Sequence, residues 1–187
     1  GVSQLIWGPL SDRFGRRPIL LLGMAAYVVA SIGSALSPTI EALVVWRTLQ
    51  GAAMGAAVMC ARAIVRDLYQ PVQGASVMSK GLSGLGVIAC TTAPLGGFLT
   101  AMFSWHAALL ALAVFGAVTL ALIAWKFEET VRQKNPKALQ GRTLVLTWIS
   151  ILRNPTFLAF SALSAASYGG LFTFLAASSF VFIRVLG

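Results

Sequence analysis

From Gly81 to Trp125 the chain runs for 45 residues without an Asp, Glu, Lys or Arg, and from Asn154 to Ile183 for 30 more. A soluble domain needs charge across its whole surface, about a quarter of its residues. Here only 10% of 187 residues are charged and 58% are apolar, with a mean hydropathy of +0.84. One helix crossing a bilayer takes about 20 apolar residues. The longer run therefore predicts two spans. It divides at Phe103-Ser104-Trp105-His106, where aromatic and polar side chains gather as they do at a membrane interface. The expected spans are residues 19–36, 40–61, 82–103, 105–125 and 156–183. Residues 1–10 read as the last turns of a further span, and the whole as an internal stretch of a longer protein, since it opens on Gly1 within an apolar run. Residues 144–152 are apolar but too short to cross, which suits an interfacial or packed linker helix. The fold class is an all-α polytopic membrane protein.

The net charge of +9 would suggest nucleic acid in a soluble chain. Its distribution says otherwise. Segments 11–17, 62–80 and 126–153 are separated by even numbers of spans and so lie on one side. They hold Arg13, Arg16 and Arg17, then Arg62, Arg66 and Lys80, then Lys126, Arg132, Lys134, Lys137, Arg142 and Arg153. The turns near 37–41 and 103–106 hold no Lys or Arg; Arg184 lies at the far side and Arg47 inside a span. By the positive-inside rule the basic side is cytoplasmic. Cys60 and Cys90 sit in apolar segments without metal-ligand spacing and read as small packing residues.

The first of these basic segments carries Gly8-x-Leu10-Ser11-Asp12-Arg13-x-Gly15-Arg16-Arg17-Pro18. Glycines permit a tight turn and close helix approach. A carboxylate beside several guanidiniums can form a charge-assisted network that holds one conformation and releases in another. The segment resembles the loop between helices 2 and 3 of the major facilitator superfamily, G-x-L-[ASG]-D-R-x-G-R-[KR], at every defined position. That resemblance implies a major facilitator-type helical bundle, incomplete here, about half of a 12-helix transporter. Residues 1–125 would be part of the N-terminal six-helix half, from the end of helix 2 to helix 6. Residues 126–155 would be the cytoplasmic linker and 156–187 helix 7. Helix 1 and helices 8 to 12 would lie outside the chain.

Arg47-Thr48-Leu49-Gln50-Gly51-Ala52-Ala53-Met54-Gly55 resembles the family's helix 4 pattern, with its second glycine one place later. An arginine within a span costs about 2.5–3.5 kcal/mol on insertion scales. Arg47 is about two turns from the outer end, where snorkelling lowers that cost, so an interfacial arginine is the plain alternative. The resemblance implies a part in proton coupling. Gly51-x-x-x-Gly55 offers a smooth face for helix packing. Ala93-Pro94-Leu95-Gly96-Gly97 resembles the antiporter signature G-x-x-x-G-P-x-x-G-G: Pro94, Gly96 and Gly97 match, while Ala89 and Ala93 replace the earlier glycines. Pro94 is expected to bend its span. The segment that closes helix 4 in this register (Ala61 to Tyr69), Arg153-Asn154-Pro155 and Tyr168-Gly169-Gly170-Leu171-Phe172 resemble the bicyclomycin-resistance-like (Bcr/CflA) drug exporters of the bacterial inner membrane.

The resemblance implies that Asp67, at the cytoplasmic end of its span, joins Asp12, Arg13 and Arg16 in the closing network. It also implies a central cavity lined by Arg47, Gln50, Met54 and Val58 on one helix, and by Ser164, Tyr168 and Phe172 on another, each set at helical spacing. A lining of aromatic and methionine side chains suits apolar drug-like molecules. Ordinary helix packing is the alternative for each of these residues. All five carboxylates, Asp12, Glu41, Asp67, Glu128 and Glu129, fall at span ends or in loops. A proton-carrying carboxylate is therefore expected outside this stretch, and the resemblance to the drug exporters implies that it lies in helix 1, facing Arg47. The lone histidine, His106, lies at an outer turn.

The expected function is drug efflux by proton antiport with alternating access. Its partners would be a small drug-like molecule, protons, membrane lipid and the remainder of the transporter, with the proton gradient as energy source, no cofactor and no nucleic acid. A carrier of another small solute, such as an amino acid or sugar derivative, and a non-transporting sensor are the alternatives. No H-E-x-x-H and no intramembrane nucleophile with a base occur, so an enzyme is not expected; nor does G-x-x-x-x-G-K-[ST] occur, so ATP drive has no support.

Overall fold

The computed structural model describes residues 3–131 and 141–184. They form seven helices, with no strand among the described residues: α1 (Ser3–Phe14), α2 (Arg16–Ala35), α3 (Ile40–Leu68), α4 (Pro71–Met102), α5 (Trp105–Lys126), α6 (Gly141–Leu152) and α7 (Pro155–Arg184). Five of them, α2 to α5 and α7, are long and apolar enough to cross a bilayer. The chain divides into two compact units, Gly1–Leu139 and Gln140–Gly187. The basic residues Arg132, Lys134 and Lys137 lie outside the described residues, as do the side chains of Arg142, Arg184 and Ala93.

Two expected loops are much shorter than the charge pattern suggested. Residues 11–17 are helical apart from Gly15, because α1 continues through Asp12 to Phe14 and α2 starts at Arg16. Gly15 has φ 114°, a conformation that favours glycine, so one residue turns the chain. Likewise α3 runs on to Leu68 and only Tyr69 and Gln70 separate it from α4. Charged residues stop a hydropathy run but not a helix, since their side chains reach solvent once the backbone bonds are made internally. Helix starts follow their local chemistry. Thr39 accepts a hydrogen bond from the Ala42 backbone N–H at 3.2 Å with Glu41 in the first turn of α3. Pro71 opens α4 and Pro155 opens α7. Asn154 accepts from the Thr156 and Phe157 backbone N–H groups, capping α7.

In the first unit, α2 packs against α3 and α5, and α1 against α3. Beside Ile19, Leu20 and Met24 of α2 the interior is built mainly of small residues: Ala30, Ala35, Ala53, Ala56, Cys60 and Ala63 are buried, with Ser31 and Ser34 fully enclosed. Lipid is as apolar as leucine, so helices in a bilayer associate through close packing rather than hydrophobic burial. A Cβ on Gly23 would sit 2.5 Å from Ala56 Cβ and 3.3 Å from the Ala53 carbonyl oxygen. Gly33 gives way to Trp46 of α3, and Gly116 of α5 to Tyr27 of α2. Ser31 and Ser34 donate back to the carbonyls of Tyr27 and Ala30, so their hydroxyls are satisfied within α2. By contrast, none of the described residues in the apolar window of α4 is buried.

Candidate functional site

The α1–α2 corner gathers charge around one side chain. Arg16 is 4% exposed, yet it carries a guanidinium. A buried cation is tolerated only when its donors are used. Arg16 Nη1 reaches Asp12 Oδ1 at 2.7 Å and also donates to the Ser11 hydroxyl; Nε donates to Asp67 Oδ2 at 3.1 Å. Ser11, fully buried, donates its own hydroxyl hydrogen bond to the Gly8 carbonyl at 2.8 Å. Asp12 and Asp67 thus hold Arg16 between α1 and the end of α3. Arg13 does not join them. It is exposed and lies over the Phe14 ring at 5.4 Å, because at one residue past Asp12 it points to another face of α1. Arg17 also turns away, its Nη2 donating to the Ala124 carbonyl at 2.9 Å near the end of α5. Beside the cluster is a groove of about 360 Å³ lined by Gln4, Gly8, Asp12, Arg16, Met59, Arg62, Ala63 and Arg66.

Glu129 is the residue that sequence reasoning missed. Its carboxylate accepts from the backbone N–H groups of Arg16 (2.8 Å) and Arg17 (3.2 Å), the first two residues of α2, and of Thr130 and Val131. Partial burial opposes its ionisation, but the backbone hydrogen bonds from Val131, Arg16, Arg17 and Thr130 outweigh this and hold its pKa below the usual carboxylate value. A Cβ on Gly15 would collide with the Glu129 carboxylate, so the glycine serves the turn and the close approach together. The only sequence signal was a helix start with two arginines and no acidic or capping residue of its own.

A second cluster lies within the spans. Arg47 Nη1 donates to Gln50 Oε1 at 2.8 Å, and Gln50 Nε2 donates to Ser31 Oγ at 2.6 Å. Arg47 is exposed and Gln50 is 5% exposed. Tyr27, Arg47, Gln50, Gly51, Met54 and Leu112 line an open groove of about 320 Å³. Of the expected α3 lining residues, Arg47, Gln50 and Met54 meet there. Val58, half-buried a further turn away, is not among the groove's residues. Gln50 faces α2 through its amide rather than standing free. The expected smooth Gly51/Gly55 face divides: Gly55 is buried against Ser3 and Trp7 of α1, whereas Gly51 has nothing within 4 Å.

On α4, Pro94 lies within an unbroken helix, and Gly96 and Gly97 have open space where a Cβ would be. Ser164, Tyr168 and Phe172 are exposed along α7 in the second unit. Cys60 is buried as expected and Cys90 is exposed. No cluster of metal-ligating side chains occurs among the described residues.

Comparison with known proteins matches these features. The family described as Major Facilitator Superfamily matches residues 1–187. The chain is 30% identical to a bicyclomycin resistance protein homolog of Haemophilus influenzae, across 99% of this chain and 46% of that protein. It is 34% identical to a chloramphenicol resistance protein of Pseudomonas aeruginosa (93% and 41%) and 30% identical to multidrug resistance protein D of Escherichia coli (100% and 46%). Among solved structures, the human organic anion transporter MFSD10 (TETRAN) is similar with a TM-score of 0.59 and 27% identity, across 76% of this chain and 33% of that one. The chain spans about half the length of the curated relatives it matches. Its helices, its Arg16 cluster and these relatives agree: the chain belongs to the major facilitator superfamily and is a multi-pass inner-membrane protein.

Proposed function

We propose that this chain is the part of a drug:proton antiporter running from the end of helix 2 to helix 7, with residues 1–125 in the N-terminal half, 126–155 as the linker and 156–187 as helix 7. The observation that carries the reading is the buried Arg16, held by carboxylates from two helices. Such a pair holds the corner closed while its charges are together, and its separation would need both charges to be hydrated, which suits it to act as a gate in alternating access. Drug efflux is favoured over other cargo by the names of the bacterial relatives, a bicyclomycin resistance homolog and a chloramphenicol resistance protein. The cluster and segments 11–17, 62–80 and 126–155 face the cytoplasm by their basic residues.

In this reading Arg47 sits beside the proton path, with Gln50 holding its guanidinium at the edge of the substrate cavity. Met54 on α3 and Ser164, Tyr168 and Phe172 on α7 are the candidate cavity residues. Val58, four residues beyond Met54 on α3, is proposed with them. Pro94, Gly96 and Gly97 give α4 a surface against which another helix can pack closely. The energy source is the proton gradient, with no cofactor, and the proton carrier is an acidic residue on helix 1. The test is efflux of chloramphenicol or bicyclomycin from cells expressing the full-length transporter, with and without an uncoupler. Efflux that stops with the uncoupler supports antiport. Efflux that ignores it overturns proton coupling, and no efflux of either drug overturns the drug assignment.

A further inference from the structure

Helix α2 begins badly by its own sequence. Gly15 at its N-cap provides no side-chain hydrogen bond, its first turn holds no acidic residue, and its first two residues are Arg16 and Arg17. The N-terminal end of a helix carries about half a positive charge and leaves its first N–H groups unbonded. Two arginines there add charge of the same sign. A helix arranged in this way needs an anion from elsewhere. Glu129, 113 residues along the chain from Arg16, is that anion, bonded to the first two N–H groups of α2. The close approach is possible only because Gly15 has no side chain. The other end of the same connection is fixed by Arg17, which bonds the Ala124 carbonyl.

We propose that Glu129 is a positioning residue for transport: by capping α2 it sets the place from which Arg16 reaches Asp12 and Asp67, and so ties the segment following α5 to the state of the gate. Arg16 is then held at both ends. Its backbone N–H is bonded to Glu129, and its side chain to the two aspartates. When the aspartate contacts open, the cap keeps α2 in register so that they can close again. When the cap is lost, the guanidinium shifts with the helix end. The neighbouring Glu128 is exposed, as Glu129 is, but the N–H groups of Arg16 and Arg17 bond Glu129 and not Glu128, so Glu128 serves as the control.

The transport consequence rests on the reading above; the helix-end consequence does not, and Cys60 reports it separately. Cys60 is fully buried against Ile19, Leu20, Met24 and Ala56, and its Sγ lies 3.9 Å from the Arg16 carbonyl. The experiment uses the full-length protein in membranes with Cys90→Ala and any cysteines beyond residues 1–187 replaced, and measures alkylation of Cys60 by a membrane-permeant maleimide beside drug efflux. Loss of a helix cap corresponds to about a tenfold change in an equilibrium. Glu129→Gln is expected to label about ten times faster than the parent and to lower maximal efflux severalfold with an unchanged KM. Glu128→Gln is expected to match the parent in both. Glu129→Asp, which keeps the charge but retracts it by one methylene, is expected to fall between and provides the measurement if the glutamine variant does not accumulate. Parent-like Cys60 labelling in these Glu129 variants, or equal labelling changes in the Glu128 control, overturns the proposal. Faster labelling with unimpaired efflux upholds the cap but overturns its role in transport. If the parent itself exports neither drug, the transport reading has failed while the labelling result still judges the cap.

Discussion

Replacing Asp67 by Asn perturbs the cluster with little change of shape. Arg16 Nε and Asp67 Oδ2 are 3.1 Å apart, with the arginine side chain 5% and the aspartate 20% exposed. At that separation and an effective dielectric constant of about 20, the attraction is about 5 kcal/mol, most of it offset by taking both charges out of water. Asn keeps one oxygen that can accept from Nε and loses the charge. The net loss is the difference between a charge-assisted and a neutral hydrogen bond, about 1–2 kcal/mol. That is a shift of about tenfold in the balance between the paired and separated corner. Asp67→Ala removes the acceptor as well and leaves Arg16 on Asp12, whose side chain is 45% exposed. Its expected loss is about 3 kcal/mol, as for a broken buried pair. Drug uptake into inverted vesicles, scaled to the amount of transporter in the membrane, should therefore fall in the order parent, Asn, Ala. Parent-level uptake in both variants at equal abundance would refute the role given to the pair.

Four further outcomes follow from individual contacts. Gly15→Ala should destabilise the purified protein by about 1–3 kcal/mol, seen as a lower Tm, because it strains a left-handed residue and displaces the Glu129 carboxylate; an unchanged Tm would show the corner to be relaxed. Gly23→Leu should force α2 and α3 apart and cost about 1–3 kcal/mol by overpacking, read by thermal unfolding in detergent. Gln50→Leu removes the acceptor for Arg47 and the donor to Ser31, so efflux should drop with little change in membrane abundance; equal efflux would exclude a part for these two hydrogen bonds in transport. Glu129 has a depressed pKa in the folded protein, so its stabilisation is present above the unfolded value of about 4.3 and lost as pH falls through the lower folded value. The Tm difference between parent and Glu129→Gln should then stay constant from about pH 8 to pH 6 and shrink only below about pH 4. A difference that already closes between neutral pH and pH 6 would count against an ionised cap.

The number of the spans was legible in the sequence because transfer into lipid depends on composition along a line, whereas their cytoplasmic limits were not, since α3 and α4 run on through charged residues. The 45 uncharged residues divided at Ser104, and α4 and α5 meet there. The side bias of Lys and Arg was legible for the same reason. The Gly8 to Pro18 segment identified the family, and through the family Asp67 could be placed beside Arg16. What the line of residues did not contain was the rotation of one helix against another. Helix α5 is apolar almost all round, so nothing in its pattern points to the Gly116–Tyr27 contact that orients it. The sequence likewise paired Gly51 with Gly55, while packing sent one to α1 and left the other open. Gln50 turned to Ser31 and Glu129 to the start of α2 for the same reason. Small residues on α2 and α3 allow the helices to approach at one rotation only, and that rotation decides which polar groups, far apart along the chain, come within hydrogen-bonding distance.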